Sequence, residues 1–192
     1  MADYFVDGDD VLENKLGIVD PHKFRTAEQD ITTKKTAILL NETPTVLDFE
    51  YLKHIHKMLF ENIYSFAGQI RTVDIAKPEA NAPFAHAKFI ESESERIFTD
   101  LKNKNYLIGM DKQSFAREIA DLSAELNALH PFREGNGRTI RLFLILLTDR
   151  AGYLLDYSQV SAEEIINADK LAFEGDGDSL YTVYKKITFE TS

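Results

Sequence analysis

The sequence predicts an all-α fold, formed by one domain that spans residues 1–192. Three observations lead to this prediction. Apolar residues recur at helical spacing through most of the chain, one segment is apolar on every side, and only one short stretch alternates like a β-strand. A hydrophobic content of 44% is enough to bury a core at this length. We expect the core of the domain over about 47–188 and an N-terminal helical extension over about 1–46.

Amphipathic periodicity predicts most of the helices. In the first long segment apolar residues recur at every fourth position, and from Phe115 to Leu129 they follow 4-3-4-3 spacing. Such stripes place one face of a helix against a core. They predict long helices over about 47–63, 86–103 and 112–129, and shorter helices near 9–16, 24–39, 161–173 and 178–187.

Two segments depart from this one-sided pattern. The stretch Arg138–Gly152 is apolar on every side from Leu142 to Leu147, which is typical of a helix buried in the middle of its domain. Residues Ile70–Ile75 alternate, and prolines and an asparagine follow, so we predict a small β-hairpin near 70–84. The expected architecture is a helical bundle around two core helices, 112–129 and 138–152.

Composition excludes several classes of protein. The formal net charge is −10, from 32 acidic and 22 basic residues, so we expect no direct binding to nucleic acid, which requires clustered Lys and Arg. No apolar run reaches the roughly 18 residues that span a membrane. The acidic start lacks the features of a secretory signal, and the absence of cysteine excludes disulfides and thiolate metal sites. A cytoplasmic location is therefore expected.

The most informative segment joins the two core helices. Within twelve residues it contains a histidine, a carboxylate, two glycines flanking an asparagine, and two arginines: His130, Glu134, Gly135, Asn136, Gly137, Arg138 and Arg141. Glycines at a helix start let the backbone approach a ligand, and the unpaired N–H groups of the first turn favour an anion. The arginines share a helix face and suit phosphate groups. The pattern predicts a site for a nucleoside triphosphate.

Two residues suggest what such a site could do. Glu134 beside phosphates makes sense if Mg²⁺ lies between them, because Mg²⁺ is commonly held by one or two carboxylates together with substrate phosphates. His130 can act as a general base near neutral pH, while Phe132 is expected to pack beneath the loop. Singly, such a histidine is often a helix cap, a Gly-Asn-Gly is often a turn, and paired arginines are often solvated. Their combination favours the functional interpretation.

From His130 to Arg141 the chain resembles the Fic family at every fixed position of the motif His-x-Phe-x-Asp/Glu-Gly-Asn-Gly-Arg-x-x-Arg. The resemblance extends to Tyr64–Gly68 at the end of a helix, the segment that follows it, and four later helices. Family members carry a β-hairpin flap in this place, which positions a target by strand addition. The resemblance therefore implies a target-docking flap that includes Arg71, Thr72, Val73, Asp74 and Ile75.

The activity that the resemblance implies is protein adenylyl transfer. AMP would pass from ATP to a Tyr, Thr or Ser hydroxyl of a target protein, with release of pyrophosphate. His130 would take the proton of that hydroxyl, and Glu134 would hold Mg²⁺. The nucleotide would be bound by Gly135, Asn136, Gly137, Arg138 and Arg141. Gly135 and Gly137 argue against the related kinases, whereas a non-catalytic nucleotide-binding module and transfer of another phosphate-containing group remain alternatives.

An inhibitory glutamate is expected to come from outside the chain or to be absent. Many family members have an inhibitory helix with Ser/Thr-x-x-x-Glu-Gly/Asn, whose glutamate pairs with the second motif arginine. The only partial match here, Ser114 to Glu118, is followed by Ile119 and belongs to a predicted core helix. The chain thus resembles toxins restrained by a small separate antitoxin protein. Toxins of that kind modify DNA gyrase and topoisomerase IV, which become candidate targets.

The sequence also suggests roles for three of the histidines outside the motif. His54 and His56 are two positions apart and face different sides of a helix, so we expect surface or packing roles rather than a shared metal. His86, after the predicted hairpin, is a candidate for contact with target or nucleotide.

Overall fold

The computed structural model describes residues 11–75 and 84–191. The described part is predominantly α-helical, which confirms the predicted all-α fold. Its seven α-helices are α1 (Pro21–Leu39), α2 (Phe49–Phe60), α3 (Ile90–Asn103), α4 (Lys112–Leu129), α5 (Asn136–Arg150), α6 (Ala162–Phe173) and α7 (Gly177–Ile187). Two short antiparallel strands, β1 (Tyr153–Leu155) and β2 (Thr188–Glu190), pair Leu154 with Phe189.

Helix α5 is the central element, as its all-round apolar sequence predicts. Phe143, Leu144 and Leu147 are completely buried, and the helix contacts α2, α4 and β1. Helix α4 lies beside it and also packs against α3, α6 and α7. The loop that joins α4 to α5 is therefore held between the two most enclosed helices, which gives its residues a rigid base.

Local interactions determine both ends of helix α4. The Asp111 carboxylate accepts hydrogen bonds from the backbone N–H groups of Gln113 and Ser114, which caps the first turn. The helix ends at Leu129 because His130 adopts a left-handed conformation with φ 45° and ψ 61°. The predicted bounds of 112–129 are confirmed, and the histidine of the motif is the residue at which the chain turns away.

The predicted helix near 9–16 is wrong where it falls on described residues, since residues 11–16 are not helical. The Asn14 side chain explains this difference. Its amide nitrogen donates to the carbonyls of Leu12 and Ile18, and its oxygen accepts the Ile18 N–H at 3.2 Å. A side chain that binds nearby backbone groups offers the chain an alternative to helix. Residues 9–10 lie outside the described part.

The predicted β-hairpin near 70–84 is not confirmed. Residues 70–75 and 84 form no strand, and residues 76–83 lie outside the described part. The strands that do form, β1 and β2, were not predicted, because three residues each are too few to show a period of two. None of the helices within the described ranges combines the length and apolar character needed to cross a membrane.

Candidate active site

The candidate base, His130, is half-buried at the C-terminal end of α4. Its backbone N–H donates to the Leu126 carbonyl at 3.1 Å, which continues the helix by one bond. Its imidazole stacks on the Phe84 ring with centroids 3.8 Å apart and planes 15° apart. Phe84 in turn contacts the Phe173 ring of α6 edge-on. No sequence pattern pointed to Phe84, which packs against one face of the imidazole from outside the motif loop.

Asn136 shapes the motif loop from inside. Its side-chain oxygen accepts the Phe132 N–H at 2.9 Å, and its amide nitrogen donates to the Phe132 carbonyl at 2.8 Å. Asn136 is only 2% exposed and Phe132 is fully buried. The predicted packing of Phe132 beneath the loop is confirmed. The Asn136 amide binds the loop backbone, and the nucleotide contact that the resemblance implied stays a prediction.

The two glycines have different surroundings. Gly135 is the N-cap of α5 with φ 79°, a left-handed conformation that favours glycine. A Cβ atom at Gly135 would lie 2.4 Å from two carbon atoms of the buried Phe60 ring. Gly137 is exposed in the first turn of α5, and a Cβ atom there would meet nothing within 4 Å. Gly135 is therefore required by packing, while Gly137 leaves the start of the helix open.

Glu134 lies directly before this helix start. One carboxylate oxygen, Oε1, accepts the Gly135 N–H at 2.9 Å, and the side chain is 47% exposed. Among the described residues no group of three or more Asp, Glu or His side chains is placed to hold a metal ion. A single exposed carboxylate next to unpaired helix N–H groups fits Mg²⁺ only if substrate phosphates and water supply the remaining ligands.

Arg138 is held within the chain. Its Nη2 lies 3.2 Å from Glu28 Oε1 on α1 and 3.5 Å from Glu134 Oε1, and its guanidinium lies over the Phe60 ring. The same Glu28 oxygen accepts the Tyr64 hydroxyl at 2.8 Å. Glu28 was not predicted as part of the site, because it lies 110 residues from Arg138 along the chain. Arg138 is therefore already paired with two carboxylates in the described structure.

Arg141 has a different environment from Arg138. It is exposed one turn further along α5, with its guanidinium 5.3 Å from the centroid of the Tyr157 ring. None of the ion pairs found among the described residues includes Arg141. A single face of α5 thus presents one arginine already paired with carboxylates and one that contacts an aromatic ring.

His56 packs against the buried side of the motif loop. It is completely buried on α2, and its ring stacks on Phe132 with centroids 3.9 Å apart. Its Nδ1 accepts the Gly68 N–H at 2.8 Å, so Nε2 carries the proton that is donated to the Glu134 carbonyl at 3.0 Å. Burial lowers the pKa of His56 to about 4. The predicted packing role is confirmed, while His54 is 43% exposed and lies near Glu42.

The pKa of His56 predicts an acid-sensitive fold. The unfolded chain takes up a proton near pH 6.5 but the folded chain only near pH 4, so unfolding is favoured as the pH falls through this window. The free energy of unfolding should decrease by about 3 kcal/mol between pH 7 and pH 4 through this group. Urea unfolding at several pH values measures the decrease. His56→Gln should flatten this part of the pH dependence, whereas the control His54→Gln should not. An unchanged slope in His56→Gln would contradict the assignment.

The five predicted target-docking residues do not form one exposed row. Thr72 and Asp74 are exposed and Val73 and Ile75 are half-buried, but Arg71 is buried. The Asp74 carboxylate accepts the Ala87 N–H at 2.7 Å and lies 2.8 Å from His86 Nδ1, and these contacts hold its pKa below the usual range. The Arg71 side chain is turned inward and binds backbone carbonyls inside the protein, so it is not available to a target in the described structure. Docking of a target along this segment stays a prediction.

Known proteins resemble this chain in sequence and in fold. Residues 46–148 match the Fic/DOC family. The chain is 32% identical over 187 residues to the "Probable protein adenylyltransferase Fic" of Escherichia coli (strain K12), covering 97% of this chain and 92% of that protein. It is 36% identical to protein adenylyltransferase VbhT of Bartonella schoenbuchensis over 92% of this chain, but spans only 37% of VbhT.

Solved structures agree with the sequence matches. The BepC protein of Bartonella tribocorum, solved with bound AMPPNP, superposes with a TM-score of 0.94 at 29% identity, covering 98% of this chain and 97% of that one. A Fic domain from Bartonella quintana with bound ADP also gives 0.94, at 29% identity and with 98% and 95% coverage. Since the family match includes more than half of the chain and the fold agrees throughout, the protein belongs to the Fic/DOC family.

Proposed function

We propose that this protein is an adenylyltransferase that transfers AMP from ATP to a hydroxyl side chain of a target protein. The observation that carries the proposal is one short loop. The loop begins with His130 and leads directly into the N-terminus of α5. The two arginines of the motif lie on that helix. The relatives named protein adenylyltransferase, and the similar structures with AMPPNP and ADP, support the same activity.

The proposed reaction uses each part of the loop. The target hydroxyl loses its proton to His130 while its oxygen bonds to the α-phosphorus of ATP, and the bond from that phosphorus to the pyrophosphate oxygen breaks. The backbone N–H groups at Gly135–Gly137 would stabilise the negative charge that develops on the α-phosphate. Arg138 and Arg141 would bind the β- and γ-phosphates, and the pyrophosphate then leaves.

Mg²⁺ is the proposed cofactor, and Glu134 is the residue that would hold it. The ion would neutralise phosphate charge and orient the leaving group. The Glu134 side chain is suited to this because it is about half exposed, and its Oε1 is already oriented by the Gly135 N–H. Asn136 would hold the loop in shape through its two bonds to Phe132, beside the nucleotide contact that the family resemblance implies.

Labelled ATP tests the activity against its alternatives. Wild type and His130→Ala are incubated with a bacterial lysate and ATP labelled at either the α- or the γ-phosphate. We expect label on a protein band from α-labelled ATP only, and its loss in His130→Ala. Label from γ-labelled ATP alone would indicate phosphate transfer. No label with either nucleotide, together with AMPPNP binding, would favour a non-catalytic nucleotide-binding module.

Targets and regulation follow as finer parts of the proposal. We propose DNA gyrase or topoisomerase IV as the target, and a small separate antitoxin whose glutamate pairs with Arg141, in the cytoplasm. The contact of Arg141 with an aromatic ring, and with no carboxylate among the described residues, supports the antitoxin part of this proposal. Purified gyrase and topoisomerase IV should each be tested with α-labelled ATP. Absence of label on both, with label on another lysate protein, would reject these targets.

A further inference from the structure

Arg71 makes an unusual set of contacts for a side chain next to a candidate docking segment. Only 1% of its side chain is exposed. Its Nε donates to the His130 carbonyl at 2.7 Å and its Nη2 to the Leu129 carbonyl at 3.3 Å. Its backbone N–H donates to the Pro131 carbonyl at 2.9 Å. Three consecutive residues at the end of α4 are thus bound by this one residue.

The remaining donors of Arg71 reach the two sides of the flap segment, which we define as the described residues 70–75 and 84–87. Nη1 donates to the Val73 carbonyl at 2.9 Å, and Nη2 donates to the Ala85 carbonyl. Ala85 is also fixed to α4, because its N–H donates to the Ala128 carbonyl at 3.0 Å. One guanidinium therefore joins both parts of the flap segment to the residue that carries the candidate base.

The energetics of this arrangement favour arginine in particular. Burial lowers the pKa of Arg71, and the nearest carboxylate oxygen, on Asp74, is 4.0 Å from Nη1. The charge is instead stabilised by carbonyls, including those of Leu129 and His130 at the C-terminal end of α4. The last carbonyls of a helix have no partners within the helix, and the helix dipole is negative there. A planar guanidinium can donate to several carbonyls at fixed angles, whereas a lysine ammonium has three donors at one point.

The flap segment also contacts the imidazole itself. Phe84, the neighbour of Ala85, stacks on the His130 ring. Asp74, the neighbour of Val73, accepts the Ala87 N–H and so connects the two parts of the segment a second time. The backbone of His130 and its ring are therefore both held by the group of residues that Arg71 joins.

We propose that Arg71 is a positioning residue that fixes the His130 imidazole and the flap segment as one unit. This inference rests on the proposed function. A target whose backbone lies along the flap segment would then present its hydroxyl at a set distance from His130. Misplacement of reacting groups by about 1 Å can reduce a rate roughly a hundredfold, so this coupling affects the chemical step rather than nucleotide binding.

Arg71→Lys tests the proposal, with Arg96→Lys as the matched control. Arg96 lies on the exposed side of α3 and pairs with Glu93 and Glu125. With α-labelled ATP and a bacterial lysate, Arg71→Lys should lower kcat about 10–100-fold. Its KM for ATP and its AMPPNP affinity should stay within about threefold of wild type. A parallel loss of AMPPNP affinity, or an unchanged kcat, would overturn the proposal. Arg96→Lys should resemble wild type throughout.

NMR of the His130 ring gives a second readout that requires no transfer activity. In wild type the stacked Phe84 ring should shift the His130 ring protons upfield, and Arg71→Lys should remove much of that shift. His130→Asn identifies the signals. An unaltered His130 spectrum in folded Arg71→Lys would overturn the coupling. If wild type transfers no AMP but Arg71→Lys still moves the signals, the proposed function fails and the coupling stands.

Phe84→Leu covers the case in which Arg71→Lys does not fold. Phe84 is half-buried, and this change removes the stacking on His130 while leaving the buried arginine in place. It should also reduce kcat at saturating ATP with little change in AMPPNP affinity. Wild-type kcat in Phe84→Leu would show that the flap segment does not position the base, and would overturn the proposal.

Discussion

Replacing His130 by asparagine should lower the rate of AMP transfer about 10²–10⁴-fold and leave the fold intact, because it removes the general base. Asparagine is the appropriate substitute because His130 has φ 45°, a conformation that asparagine tolerates better than most residues. The end of α4 and the loop that follows should therefore survive. Initial rates with α-labelled ATP, and thermal unfolding of the same samples, measure the two effects separately.

Two comparison variants make this result interpretable. His130→Ala also lacks a base, but alanine tolerates the left-handed conformation poorly, so it should additionally be destabilised by about 1 kcal/mol. His54→Asn changes a partly exposed histidine on α2 and should keep wild-type activity. AMPPNP affinity should be similar in all three. Retention of a tenth or more of the transfer rate in His130→Asn would contradict the role of His130 as base.

The motif loop and its flanking helices could be predicted because their signals are local. The 4-3-4-3 stripe and the capping aspartate Asp111 define α4, and the all-round apolar stretch identifies α5 as the central helix. The left-handed conformation of Gly135 likewise explains why a glycine occupies this position. In each case the physical cause lies within a few residues of its effect along the chain.

Contacts between distant segments could not be predicted in the same way. Arg138 pairs with Glu28, 110 residues away, and the His130 ring stacks on Phe84. No sequence pattern marks either contact. Arg71 illustrates a further reason. Its partners are backbone carbonyls, which every residue carries, so no side chain elsewhere in the sequence marks it as buried. The same holds for His56, whose two hydrogen-bond partners are backbone groups.

The two glycines of the motif should respond to alanine in opposite ways. Gly135→Ala introduces a Cβ 2.4 Å from the buried Phe60 ring at a residue with φ 79°. Overpacking costs about 1–3 kcal/mol, and the left-handed conformation costs alanine about 1–2 kcal/mol more. The free energy of unfolding should therefore fall by about 2–5 kcal/mol. Gly137→Ala meets no atom within 4 Å and should raise it by about 0.5–1 kcal/mol, because alanine is the better helix former.

AMPPNP affinity tests whether Gly137 is needed for nucleotide binding. If a phosphate approaches the backbone at the start of α5, the methyl group of Gly137→Ala should weaken AMPPNP binding about tenfold, equivalent to loss of one charge-assisted hydrogen bond. The variant would then be more stable than wild type but bind less well, a combination that general damage to the fold cannot produce. Urea unfolding and calorimetric titration with AMPPNP measure both quantities. Wild-type affinity in Gly137→Ala would exclude close phosphate contact at this turn of α5.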